Sequence, residues 1–180
     1  MFHPVRDESS EFTEADLEAF TAQLVDRDRL SLIDRLERCG ARLRELGAQV
    51  TGGAAADGEE WTAHQVLAHI AVLSKGYGVV AYRVGSGAIT DLDLRAMVAQ
   101  RDRAGAAVAA LPIASIVAQA LADQKRTLEW LRRASPEDLQ RACGLGGGQS
   151  WTAATIVRLP LIAHLEQHLE QLERAVSVRV

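Results

Sequence analysis

Apolar residues recur at helical spacing along nearly the whole chain, and no stretch alternates as a half-buried strand would. Leu32, Leu36, Cys39, Leu43, Leu46 and Val50 advance by steps of four and three, the seam of a helix packed in a bundle. A second seam runs through Val66, Ile70, Leu73, Tyr77, Val80 and Val84. Ile116, Leu121, Leu128 and Leu131 give a third helix its packing face, expected from about Pro112 to Ala134. Leu161, Leu165, His168 and Leu172 line a fourth, with His164 beside them. This period predicts an all-α protein built on four bundle helices, with short extra helices between them.

The punctuation between seams agrees. Thr13 with Asp16 starts a helix whose apolar face is Leu17, Phe20 and Leu24, and the pattern leaves open whether it joins the Leu32 seam near Asp26 to Asp28. TGGAAADGEE reads as a loop, after which Thr62 and Gln65 form a capping box with Trp61 just outside it. GSGAITD ends the second helix, and a short helical piece precedes Pro112. Ser135, Pro136, Glu137 and Asp138 combine a cap, a first-position proline and first-turn acids, the start of another short helix. CGLGGGQS is expected as a flexible loop, and Thr152 as the cap of the fourth bundle helix. Pro160 should kink that helix just before its histidines. We divide the chain into a flexible tail at 1–12 and a single domain at 13–176.

At 180 residues the chain buries a core without disulfides or a structural metal, so any metal is free to be catalytic. A net charge of −4, scattered Arg and Lys, and only three Trp, two Tyr and three Phe argue against nucleic acid as a partner. Cys39 and Cys143 are far apart with no CxxC, which reads as two reduced thiols in a cytoplasmic protein. Cys39 lies on an apolar stripe, whereas Cys143, in the glycine-rich loop, should be the more accessible. Residues 1–12 have no signal-peptide pattern. Ala104 to Ala122 is uncharged for nineteen residues, but its alanines, Gly105, Gln119 and central Pro112 predict a buried helix broken at Pro112, not a membrane span.

His164 and His168 are four residues apart, so on a helix they project from one face about 6 Å apart along the axis. Two such imidazoles make half a metal site, and a third ligand must come from another helix; His69, bordering the second seam, is the best candidate. The competing reading is that each is a half-buried histidine satisfied by a carbonyl. His3 and His64 are expected at the surface. Glu166 points about 200° away from His164, so it is not the base of a zincin motif. Leu161 and Leu165 stand where a di-iron bundle needs Glu, and the cysteines are badly spaced for structural zinc. A mononuclear three-histidine site with open positions remains. The tripeptide WTA opens two helices, at Trp61 and Trp151, too short a match to establish a duplication.

Trp61-Thr62, Gln65, His69 and HLEQHLEQ, with Ser135 to Leu139 and the second Trp-Thr, resemble the DinB-like (DNA-damage-inducible) metalloprotein superfamily from Leu32 to about Arg174. The resemblance implies an up-down-down-up four-helix bundle in which His69, His164 and His168 bind one divalent ion, zinc or nickel. Gln171, three residues beyond the last histidine, would support that ligand from outside the coordination sphere. The superfamily includes bacillithiol S-transferases and the N-terminal domains of mycothiol-dependent maleylpyruvate isomerases. The isomerase branch resembles a His-Glu-His site, from which three neutral histidines depart. Three imidazoles leave the ion's charge uncompensated, which favours an incoming thiolate or hydroxide. The expected function is therefore metal-dependent transfer of a low-molecular-weight thiol to an electrophile. A metal-dependent hydrolase and a noncatalytic stress or binding protein of the same fold are the alternatives. A two-fold homodimer is expected from the alanine-rich segment, with neither nucleic acid nor membrane as a partner.

Overall fold

The computed structural model describes residues 13–51 and 61–177; the expected tail at 1–12, His3 and most of the TGGAAADGEE loop lie outside them. Helix α1, Glu14–Gly47, starts at the capping box in which Thr13 accepts from the Asp16 amide and the Asp16 carboxylate accepts from the Thr13 amide. It runs without interruption through Asp26 to Asp28, so the two segments left open in the sequence are one helix. Helix α2, Ala63–Gly85, begins at the equivalent Thr62–Gln65 box. Helix α3 is Leu94–Ala109, α4 is Ile113–Leu131 and α5 is Pro136–Gln140. A hairpin of β1, Ala142–Gly146, and β2, Gln149–Thr152, leads into the fourth bundle helix. That helix comprises α6, Ala153–Ile156, a π-helical segment, Val157–Ala163, and α7, His164–Ser177.

Partner residues fix the helix directions. Asp28 with Arg158, Arg35 with Glu166 and Arg42 with Glu173 pair in ascending order, so α1 and the fourth bundle helix are parallel. Arg29 reaches the Leu131 carbonyl while Gly47 lies on Val117, so α4 opposes α1. Gln124 donates to Ser74 and Gly85 meets Trp130, so α2 runs with α4; Gly85 also meets Ala153, the start of the antiparallel fourth helix. The bundle is therefore up-down-down-up. Its core holds the whole first seam, with Leu36, Leu43, Ile70, Ile116 and Leu165 fully buried. Truncating one such leucine to alanine costs about 2–5 kcal/mol.

Several sequence expectations are corrected. The segment read as a flexible loop is the antiparallel hairpin, which turns on Gly146, Gly147 and Gly148, all with positive φ. Its strands are too short to show an alternation. The chain is thus helical with one small sheet among the described residues. Cys143 is buried in β1 and not accessible, its thiol donating to the Trp151 carbonyl, and both cysteines are free. Leu17, Phe20 and Leu24 are covered by nothing among the described residues and remain 53, 53 and 46% exposed. The chain breaks at Pro112 as expected, but α3 is longer than a short piece and has no buried residue. The third bundle helix ends at Leu131, short of Ala134. At Pro160 the helix widens into π turns, which relieve the missing amide and the crowding a proline imposes on the preceding turn.

The start of α3 is pinned from an unexpected side. Leu92 donates to the Gly144 carbonyl at 2.8 Å and Gly144 donates to the Thr90 carbonyl at 2.7 Å, so the α2–α3 connection pairs with β1. A Cβ at Gly144 would lie 2.6 Å from the Asp91 carboxylate, which is why glycine stands there. No helix of the described residues is long and apolar enough to cross a membrane.

Candidate metal centre

His69 lies two turns into α2, and His164 and His168 occupy the first two turns of α7. The antiparallel crossing of these helices brings the three rings together. Their centroids are 5.3 Å apart for His69 and His164, 4.6 Å for His69 and His168, and 4.7 Å for the α7 pair. One nitrogen from each lies within 4.8 Å of the others. Tetrahedral bonds of about 2.05 Å require nitrogens roughly 3.3 Å apart, so rotamer adjustments of an ångström or so would close the cluster on one ion. Ile70, Leu165 and Leu169 are buried next to the ligand candidates and anchor both helices.

The hydrogen bonds distinguish the two nitrogens of His168. Its Nδ1 lies 3.0 Å from the Gln171 carbonyl oxygen, which only accepts, so Nδ1 carries the proton and donates. Nε2 is left with its lone pair; it is buried and has no hydrogen-bond partner among the described residues. A buried acceptor left empty is costly, and a cation fits it where a second hydrogen bond is absent. This is the test the three-histidine set passes.

Burial also prepares the rings. It is the largest influence on each, pushing His69 down to about 3 and His164 to about 4, with His168 also lowered. The neighbouring imidazoles, then Arg101 on α3, lower His69 further; His168 and then Arg101 act on His164. All three are neutral at pH 7, the form that binds a metal.

Trp61 was legible only as a residue outside the α2 cap. It is stacked on His168 at 5.8 Å and 13°, and tilted against His69 at 4.8 Å. At 36% exposure it forms a wall between the imidazoles and solvent. Arg101 had no signal in the sequence, because it lies on α3, which has no buried residue. His64 is half-buried and separate from the triad, its Nε2 3.1 Å from the Leu111 carbonyl oxygen.

With the histidines converged between α2 and α7 of an up-down-down-up bundle, the pattern of the DinB superfamily matches residues 13–172. The chain belongs to the DinB superfamily. The match starts at the α1 cap, so it takes in the first turns of that helix, ahead of Leu32 where the resemblance in sequence began. No curated protein and no solved structure matches this DinB chain.

Proposed function

We propose that the chain binds one divalent ion, zinc or nickel, through His69, His164 and His168, and uses it to activate a low-molecular-weight thiol for transfer to an electrophile. The observation that carries the metal reading is the buried Nε2 of His168, without a hydrogen-bond partner among the described residues, on a ring clustered with two other neutral imidazoles. When bound, the ion supplies positive charge that lowers the pKa of a thiol beside it. The protein's own groups do the rest. Gln171 fixes the tautomer of His168, burial keeps all three rings neutral, and Trp61 limits water on one side. The thiol's proton leaves to solvent, the sulfur lone pair forms the C–S bond, and the leaving group departs with its bonding electrons.

The test is a cobalt-loaded protein titrated with mycothiol, bacillithiol and related small thiols, followed by conjugation to monochlorobimane, in which C–S forms and chloride leaves. A visible-spectrum change and a rate that collapses in His164→Ala at parental helicity are expected. Metal uptake with neither response makes the protein a hydrolase or a noncatalytic binder. A two-fold homodimer is proposed in addition, supported by the exposed Leu17, Phe20 and Leu24 on one end of α1. Light scattering showing only monomer at micromolar concentration would refute it. Two free buried thiols support placement in the cytoplasm.

A further inference from the structure

His69 is the first residue of a stripe. His69, Val72, Gly76, Val79 and Arg83 follow steps of three and four, so they line one face of α2. From Val72 onward this face is the floor of a groove of about 400 Å³ between α2 and α3. The facing wall is a second stripe at the same spacing, Met97, Arg101, Ala104 and Val108. Val72 and Arg83 are separated by roughly 16 Å at the helical rise, so the groove is long, and its Val72 end lies about one turn along α2 from His69. Its floor is clear at Gly76, where a Cβ would meet nothing within 4 Å.

The charges in the groove are of one sign. Lys75, Arg83 and Arg101 line it with no Asp or Glu among the lining residues, in a chain whose net charge is −4. Arg101 is the half-buried one, its side chain 28% exposed. The Asp102 carboxylate accepts from Nε and Nη2 at 3.0 Å, which leaves the Nη1 edge of the guanidinium uncommitted among the described residues. A space of this volume takes a small molecule.

We propose that this groove binds an elongated organic anion, with its carboxylate on Arg101 and its apolar body along Val72, Gly76 and Val79. This deepens the transferase reading by naming the class of its electrophilic substrate, and it rests on that reading for the reaction but not for the binding. The apolar floor supplies affinity and the guanidinium fork supplies orientation.

Octanoate and uncharged 1-octanol, titrated calorimetrically into metal-free and metal-loaded protein, test this directly. Octanoate should bind once per chain. Gly76→Leu, which fills the floor and favours the helix, should abolish binding of both probes at parental circular dichroism. Arg101→Met keeps the apolar stem and should weaken octanoate by roughly tenfold while leaving octanol unchanged. The proposal is overturned if the parent ignores octanoate, if Gly76→Leu binds it as well as the parent, or if Arg101→Met weakens both probes equally. Elemental analysis of the same preparations separates the two readings. A parent without metal ends the metal reading and leaves the octanoate result intact; a parent with metal that ignores octanoate ends the groove proposal alone.

Discussion

The fourth bundle helix meets α1 and α2 with two different chemistries. Toward α1 it presents Arg158, Glu166 and Glu173, which pair with Asp28, Arg35 and Arg42, so each charge meets its opposite within the fold. The Arg35–Glu166 pair is bidentate, at 2.9 and 2.7 Å, and holds the Glu166 carboxyl below its ordinary value. Toward α2 the same helix presents His164 and His168, which among the described residues cluster with a third imidazole and no carboxylate, and one buried nitrogen has no hydrogen-bond partner among them. Polar groups that satisfy one another fix register and direction. Those left unsatisfied by the fold are available to something outside it.

The largest effect that would break this contrast is on metal. His168→Ala removes a candidate ligand and should lower affinity by more than the roughly hundredfold upper range seen for supporting residues. Elemental analysis showing equal, near-stoichiometric metal in variant and parent would refute the assignment. Gln171→Leu is the next test, since it frees the His168 tautomer without touching a ligand. A loss of roughly 10–100-fold in metal affinity is expected, with helicity unchanged, measured by chelator competition.

The pH dependence of the metal-free protein sharpens the same point. The folded values of about 3 for His69 and about 4 for His164 lie below the ordinary 6.5, so the unfolded chain takes up protons first as pH falls. Stability is then flat above about pH 6.5, falls from there toward pH 5, and rises again with pH through that window. Urea midpoints at pH 7.5, 6 and 5 measure this, and replacing His164 by alanine should flatten the slope. The smallest effect belongs to the α1 side. Breaking the partly exposed Arg35–Glu166 pair with Arg35→Ala should cost about 1 kcal/mol or less and leave metal content unchanged. A loss of metal there would mean that the two faces are coupled.

The parts of this architecture visible in the sequence are those that burial writes into a local period. Leu32, Leu36, Cys39, Leu43, Leu46 and Val50 are all buried, as their spacing required, and the i, i+4 histidines share a face because any helix would place them so. That His69 joins them depends on how α2 and α7 cross, which the sequence reached through family resemblance and the shortage of other ligands. Trp61 over His168 and Arg101 facing the groove are contacts between residues far apart in the chain, one of them on a helix with no buried residue, so no local pattern records them. The hairpin escaped notice because its nine strand residues include two glycines and its turn adds two more. The exposed Leu17, Phe20 and Leu24 show the opposite failure, a period with no neighbour to bury it.

The π turns at Val157–Ala163 have a consequence for how the chain tolerates change in length. A π bulge is equivalent to one residue inserted into an α-helix, and each residue advances the helix by about 100°. Everything from His164 onward is therefore out of phase with Ala153–Ile156 by about that angle, and the offset decides which neighbour the imidazoles confront. Deleting the exposed Leu159 would let the helix close into uniform α turns and swing both histidines away from α2 together, while Pro160 would again strain the turn before it. A single-residue gap here should empty the centre without removing any of its ligands.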